Sequence, residues 1–154
     1  NMKEHSLFGS TFETSLRILI LLEELSELLL DEQQICCIDF MSIYGADFDL
    51  LDANLHGNGL FRFSEFSAKS TLVSNAIKNL VLDSFIKFVP TDSGYSYSIS
   101  SAGKKIVSKI SDGYVAEYRI AVREVYRTFP DLQTSKMQQK IYDMTINSLE
   151  ASNE

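Results

Sequence analysis

The sequence predicts a mainly α protein with one small β-hairpin, and three observations support this prediction. Several long segments repeat apolar residues at helical spacing, and two short alternating runs flank a turn within residues 85–99. The chain has only 2 prolines and 7 glycines, which argues against long disordered linkers. Its 154 residues suit one domain with a substantial core.

The first two helices are predicted from their caps and their apolar content. A helix over residues 16–30, capped by Thr14 or Ser15, is apolar on nearly every face. Such a helix is buried all round, or buried partly against a partner. Asp31 is the predicted N-cap of a second apolar helix that runs to about residue 44.

A third helix is predicted over residues 64–84, after a loop over residues 46–63. Its apolar residues follow the helical period, and they are Phe66, Val73, Ala76, Ile77, Leu80 and Val81. Leu72 and Leu82 fall away from this stripe, so the core of the domain does not need them. We therefore expect both leucines to be candidates for contact with a partner.

The hairpin follows the third helix. Residues 85–90 and 95–99 alternate in polarity around a turn rich in Asp, Ser and Gly. Three helices followed by a hairpin is the order of a winged-helix domain, which we place at residues 7–100. The fold class is thus mainly α with a small β-hairpin, a winged-helix-like domain plus two C-terminal helices.

The two C-terminal helices exceed what a winged helix requires. A long fourth helix, capped by Ser100 or Ser101, is predicted to reach about residue 128, and a fifth covers residues 132–149. Apolar residues of the fourth repeat at heptad-like spacing: Val107, Ile110, Tyr114, Tyr118, Ala121 and Val125. We expect residues 101–150 to form a helical extension packed on the first domain, or to offer a seam to a partner.

Charge and cysteine content limit the class of protein. The formal net charge of −7 argues against a stand-alone nucleic-acid binder. The adjacent Cys36 and Cys37 lack zinc-ligand spacing and are expected to be core residues in a reducing compartment. No segment offers the ~20 apolar residues of a membrane span, and the opening residues lack a signal-peptide pattern. We expect a cytoplasmic protein.

No catalytic, metal or cofactor pattern is present in the sequence. Acidic residues crowd only in the loop, where Asp47, Asp49, Asp52 and His56 match no calcium-binding spacing, so a solvated or interface loop is favoured over a metal site. The Gly57-Asn58-Gly59 segment is not a phosphate loop. We therefore expect a protein that is not an enzyme and that has no cofactor, metal or small-molecule substrate.

The third helix is poorly suited to reading DNA bases, because its polar face lacks a cluster of Asn, Gln and Arg. The candidates for contact with the phosphate backbone of DNA are six cationic residues: Arg62, Lys69, Lys78, Lys87, Lys104 and Lys105. Further cations on the fourth helix, Arg119, Arg123 and Arg127 among them, alternate with acidic residues, so a solvated face is the default. We expect weak DNA binding at most for the chain alone.

Several segments form a distinctive set that covers most of residues 7–129. They are Leu7-Phe8 through Leu25, Asp39-Phe40 through Tyr44-Gly45 with Asp47, Leu55-His56, Arg62 with Glu65, and Ser101-x-Gly103 with Tyr114. Together they resemble the middle component of bacterial ABC-three component systems, and especially the LmuC-like small subunit of Lamassu anti-phage and anti-plasmid systems. The loop over residues 46–59 departs from the family in its extra acidic residues.

The resemblance implies a non-catalytic subunit that bridges an SMC- or Rad50-like ATPase and an effector nuclease. DNA would be contacted through that complex. The residues from which we expect docking on the partners are Leu72, Leu82, Tyr114, Tyr118 and Tyr126, since tyrosine is enriched at interfaces. The alternative is a winged-helix transcription regulator that dimerises through its C-terminal helices.

Overall fold

The computed structural model describes residues 11–45 and 63–152, which form six helices and a three-stranded antiparallel sheet. In chain order the elements are α1 (Thr11–Glu24), β1 (Leu30–Asp31), α2 (Glu32–Ile43), α3 (Phe63–Leu82), β2 (Ile86–Thr91), β3 (Gly94–Ile99), α4 (Ser101–Ser108), α5 (Gly113–Thr128) and α6 (Thr134–Ser152). The predicted fold class, mainly α with a small hairpin, is confirmed. The predicted loop lies outside the described residues except for Phe63, which is the first residue of α3.

Helix α1 begins five residues and ends six residues before the predicted bounds. The predicted cap at Thr14 or Ser15 is therefore wrong, because both residues lie inside the helix. A short strand follows the helix. Past Glu24 the chain turns, with the Leu28 amide donating to the Leu25 carbonyl over 3.0 Å. Leu30, which is buried, then pairs with Tyr97 of β3. The strand β1 was not predicted because two residues cannot display an alternating pattern.

Helix α2 begins at the predicted cap. The Asp31 carboxylate accepts a 2.8 Å hydrogen bond from the Gln34 amide, and the Gln34 side chain accepts a 2.9 Å bond from the Asp31 amide. This reciprocal capping box satisfies two amides that the first helical turn leaves without intrahelical partners. Residues 35–43 of α2 are all buried, so the helix runs through the centre of the core.

The predicted hairpin is confirmed, and β1 extends it into a sheet. The strand order is β1-β3-β2, with Ile86 opposite Ile99 at the base and Thr91 opposite Gly94 at the turn. Both isoleucines are buried, whereas most of β2 beyond Ile86 is exposed. The hairpin therefore joins the core at its base and projects its tip away from it.

The prediction of one long fourth helix is wrong, because the chain forms two helices there, α4 and α5. Helix α4 ends at Ser108, and Asp112 caps α5 by accepting a 3.0 Å hydrogen bond from the Val115 amide. An aspartate that binds a nearby backbone amide competes with continuous helix. The predicted cap of α4 is confirmed, since the Ser100 hydroxyl accepts a 3.1 Å bond from the Gly103 amide.

Helices α5 and α6 contribute to the same core as α1, α2 and α3. Helix α5 buries five residues, Val115, Tyr118, Ala121, Val122 and Val125, and α6 buries Met137 and Ile141. The heptad-like positions Tyr118, Ala121 and Val125 thus face the interior of the chain. The domain boundary between residues 100 and 101 stays a prediction. None of the described helices combines the length and apolarity needed to cross a membrane.

Candidate partner-binding surface

Large apolar side chains are exposed around the C-terminal end of α3. Leu82 is 80% exposed and Phe12 of α1 is 65% exposed. On the hairpin, Phe88 and Tyr95 are about half exposed, and their rings meet edge to face with centroids 5.5 Å apart. Scattered apolar residues on a surface need no explanation, but these four line two grooves.

The first groove lies between α1, α3 and α4, and we call it the helical groove. It has a volume of about 640 Å³. Helix α1 contributes Phe12, Leu16 and Leu19, helix α3 contributes Leu80 and Leu82, and the α4 side contributes Ile106 and Ile110. Asp83 and Lys109 are charged residues of its lining. Its walls come from three different helices, α1, α3 and α4.

The second groove lies between α3 and the hairpin, and we call it the hairpin groove. It has a volume of about 420 Å³ and an apolar lining of Ile77, Val81, Leu82, Phe88, Tyr95 and Tyr97. Lys78 and Glu32 also line it. Leu82 lines both grooves, so the two form one apolar surface centred on the end of α3.

Of the predicted partner contacts, Leu82 is the residue that the structure places on this surface. Leu72 is half-buried, Tyr114 is about half exposed, and Tyr126 packs partly against the core. The expectation for Tyr118 is wrong, because its side chain is completely buried inside the chain. Tyrosine enrichment at interfaces did not distinguish a core tyrosine from a surface one.

Tyr118 belongs to a buried ionic cluster formed by α1, α2 and α5. Arg17 donates to both carboxylate oxygens of Asp39, from Nε over 2.8 Å and from Nη2 over 3.0 Å. The Tyr118 hydroxyl donates to Asp39 Oδ1 over 2.6 Å. Arg17 Nη2 also donates to the Thr14 hydroxyl over 3.4 Å. Buried charges are tolerated when they are paired and hydrogen-bonded in this way.

The pKa shifts in this cluster keep its charge pattern fixed. Burial alone lowers the pKa of the Arg17 guanidinium, but the charge and hydrogen bonds of Asp39 outweigh it and the pKa is raised. Burial and the Asp39 charge raise the pKa of Tyr118 well above its usual range. The cluster therefore consists of a cation, an anion and a neutral hydroxyl, an arrangement that holds helices together and offers no nucleophile.

The predicted DNA-backbone contacts do not share one environment. Lys78, Lys87, Lys104 and Lys105 are exposed. Lys69 is half-buried near the ionic cluster, where burial and the Arg17 charge lower its pKa. Arg62 lies outside the described residues. Four of the six predicted cations are thus on the surface, and whether they touch DNA stays a prediction.

The arginines of α5 are engaged by carboxylates. Arg119 donates to Glu23 and, over 2.7 Å, to Glu24, while Arg123 pairs with Glu24. Arg127 pairs with Glu124 over 2.7 Å on its own helix. Carboxylates therefore neutralise these three arginines, two of them at the acidic end of α1, which weakens α5 as a phosphate-binding face.

The described residues contain no group of three or more His, Cys, Asp or Glu that could hold a metal ion. The acidic loop with Asp47, Asp49, Asp52 and His56 lies outside the described residues. Cys36 and Cys37 are free, buried thiols, as predicted for core residues, and burial raises the pKa of each to about 12. Such thiols are poor nucleophiles at neutral pH.

The aromatic part of the surface was not predicted from the sequence. Phe88 and Tyr95 were assigned to the two strands of the hairpin, but their pairing across it was not used. Phe88 faces Tyr97 in the strand register, and Tyr95 is the diagonal neighbour of Phe88, which brings the rings to one face. Once the turn of the hairpin is assigned, the strand register places Tyr95 diagonally across from Phe88, so the contact between the two rings could have been predicted from the sequence.

Comparison with known proteins identifies the family. Residues 7–151 match the family model described as ABC-three component (ABC-3C) system Middle Component 2. No curated protein and no solved structure matches the chain. The match covers nearly the whole chain, so the protein belongs to the ABC-3C Middle Component 2 family. It is thus a component of a system of several proteins.

Proposed function

We propose that the chain is a non-catalytic accessory subunit that joins an SMC- or Rad50-like ATPase to an effector nuclease in bacterial defence against phages or plasmids. Membership of the Middle Component 2 family supports the role of a subunit. The exposed apolar surface centred on Leu82 is the observation that carries the docking role. Resemblance to the small subunit of Lamassu systems supports the identity of the two partners.

The surface around Leu82 is suited to protein contact more than to chemistry. It joins two apolar grooves, and truncation of a buried apolar anchor at an interface typically costs ~2 kcal/mol or more. The buried ionic cluster around Asp39 is enclosed by three helices, so a substrate cannot reach it in this structure. We therefore propose that the purified chain has no ATPase, nuclease or hydrolase activity. Metal-dependent nuclease activity abolished by Asp49→Ala would contradict this.

The test of docking is co-purification with the ATPase and nuclease encoded by neighbouring genes. Leu82→Asp should reduce capture at least tenfold, because it places a charge where both grooves meet. Leu29→Asp is a matched control, since Leu29 is also exposed but lines neither groove. Leu72→Asp tests the second leucine predicted from the sequence. Circular dichroism verifies that each variant is folded.

Undiminished capture by the Leu82→Asp variant, with loss only on raising salt, would contradict apolar docking. The segment from Glu23 to Asp52, which is rich in acidic residues, would then be the better candidate for docking. Loss of plasmid or phage defence in cells that carry Leu82→Asp, with normal protein levels, would connect the surface to the biological role.

The alternative, a winged-helix regulator that dimerises through its last helices, has one observation in its favour. The short strand β1 pairs with the hairpin in the order β1-β3-β2, the connectivity of a winged helix, and this supports our winged-helix assignment. However, three of the four heptad-like positions of α5, Tyr118, Ala121 and Val125, are buried in the core of the same chain. A nanomolar footprint on one operator at physiological salt would favour the regulator.

A further inference from the structure

We propose that the helical groove receives an amphipathic helix of another component of the system, with apolar residues in the groove and acidic residues facing α4. This inference rests on the proposed function, because it assumes that the chain is assembled with other proteins.

The shape of the groove favours a helix as its occupant. Its volume of about 640 Å³ lies in the range of small-molecule pockets, roughly 300–1,000 Å³, so it is the spacing of the apolar lining residues that favours a helix. The α1 wall presents Phe12, Leu16 and Leu19, which are spaced by four and three residues and so share one face of α1. This wall is about 10 Å long at 1.5 Å per residue. A helix with apolar residues at i, i+4 and i+7 matches that length.

The charge at the groove favours acidic flanks on the incoming helix. Lys109 lines the groove at the end of α4, and Lys105 lies one turn earlier on the same side of that helix. Neither lysine has a carboxylate within salt-bridge distance among the described residues, whereas the three arginines of α5 are all paired. On the α1 wall, Thr11 and Ser15 are uncharged.

Asp83, at the end of α3, carries the opposite charge, so the α3 side of the groove is acidic and the α4 side is basic. A helix bound between the walls would place acidic side chains beside Lys105 and Lys109 and a neutral or basic side chain beside Asp83. Exposed ion pairs of this kind contribute little affinity, but they guide encounter and select the correct partner. The apolar wall supplies affinity, and the lysines supply orientation.

The groove can be probed directly in the assembled complex. A photo-crosslinking amino acid is placed at Ser15, which lines the groove, and in a control at Ser108, which is exposed on α4 and does not line it. Mass spectrometry of the co-purified complex then locates the bound segment. We expect Ser15, but not Ser108, to crosslink to a segment with apolar residues at helical spacing and neighbouring Asp or Glu.

A second experiment tests the charge. Lys105→Glu/Lys109→Glu should lower the association rate about tenfold at low salt, and the difference should shrink as salt rises. The matched control Lys104→Glu/Lys136→Glu reverses two exposed lysines away from the groove and should leave the rate nearly unchanged. Equal effects of the two double variants would overturn the assignment of acidic flanks.

The outcomes separate this inference from the proposed function. If the wild-type chain does not co-purify with the ATPase or the nuclease, the proposed function fails and the inference fails with it. If the complex forms but Ser15 gives no crosslink, the inference alone is overturned. Crosslinks to a basic segment, to nucleic acid, to residues 1–10 of the same chain or to a second copy would also overturn it.

Discussion

Tyr118 and Asp39 are 79 residues apart in the chain, yet the tyrosine hydroxyl donates a 2.6 Å hydrogen bond to the aspartate carboxylate in the centre of the protein. The same carboxylate accepts two bonds from Arg17. One residue from each of α1, α2 and α5 therefore meets at a single buried anion. The physical consequences of this cluster are open to measurement.

Tyr118→Phe should lower the free energy of unfolding by about 1.5–3 kcal/mol, because it removes a hydrogen bond to a charged group without changing the ring. Urea unfolding followed by circular dichroism measures the change. Tyr126→Phe is the control on the same helix, since Tyr126 is only partly buried. Equal losses in the two variants would show that the buried hydroxyl adds nothing particular.

Breaking the ion pair from one side should cost more than removing it from both. In a Tyr118→Phe background, Arg17→Met leaves Asp39 as an uncompensated buried charge and should destabilise the fold by about 3–5 kcal/mol. Adding Asp39→Leu to that variant should recover part of the loss, because the unpaired buried charge of Asp39 is then removed. A further loss on adding Asp39→Leu would mean that packing, not charge, dominates at this position.

Gly103 of α4 should not tolerate a side chain. A Cβ atom there would lie 2.3 Å from the Phe85 carbonyl oxygen and 2.7 Å from Ile99 Cγ1. Gly103→Ala should therefore destabilise the protein by about 1–3 kcal/mol through overpacking. Gly113→Ala is the control, because a Cβ at that residue meets nothing within 4 Å. A stable Gly103→Ala variant would show that α4 can move away from the hairpin.

Stability should fall at alkaline pH because buried groups retain protons in the folded state. Burial raises the pKa of Cys36 and Cys37 to about 12 and raises that of Tyr118 further above its usual range. In the unfolded chain, thiols ionise near pH 8.5 and tyrosine near pH 10. The stability is thus complete below about pH 8.5 and declines as pH rises, by about 1.4 kcal/mol per pH unit for each thiol above pH 8.5 and for Tyr118 above about pH 10.

Thermal or urea unfolding between pH 8 and pH 10 measures this decline. The Cys36→Ala/Cys37→Ala variant should be less stable at neutral pH, because it loses core volume, but it should show a shallower dependence on pH. An unchanged slope in that variant would assign the decline to other groups.

The chain alone should bind DNA weakly, without sequence preference, and with strong loss on adding salt. The net charge is −7, and carboxylates pair with Arg119, Arg123 and Arg127. Titration of duplexes of unrelated sequence at two salt concentrations measures this. Lys104→Gln/Lys105→Gln should weaken what binding exists more than Lys136→Gln/Lys140→Gln. Salt-independent binding would point to recognition of another kind.

The elements fixed by local signals were predictable from the sequence. The Asp31 cap, the Ser100 cap and the hairpin turn each depend on a few neighbouring residues, and the structure has all three. The strand β1 and the break between α4 and α5 were missed. The break was missed because the heptad-like spacing of apolar residues continues across it. The Asp112-Gly113 pair is nevertheless a usual signal for the start of a new helix.

The candidate site was predictable only in part, because it depends on how distant segments pack. Leu82 could be separated from the core stripe of α3 by helical geometry, and the structure exposes it. Its neighbours Phe12 and Phe88 come from α1 and β2, and no local pattern brings these segments together. Arg17 and Asp39 each lie within an apolar run, which was a readable sign that they pair.

The Asp39–Tyr118 hydrogen bond can form only late in synthesis on the ribosome, because its two residues lie far apart in the chain. Arg17 and Asp39 emerge early and can pair, but the hydroxyl that completes the cluster arrives only when α5 has left the exit tunnel. The ribosome adds about 5–20 residues per second, and domains generally fold as units during translation. The nascent chain therefore spends several seconds with an incomplete ionic core. We expect the early segments to stay exchangeable, and accessible to chaperones, until the last third of the protein is made.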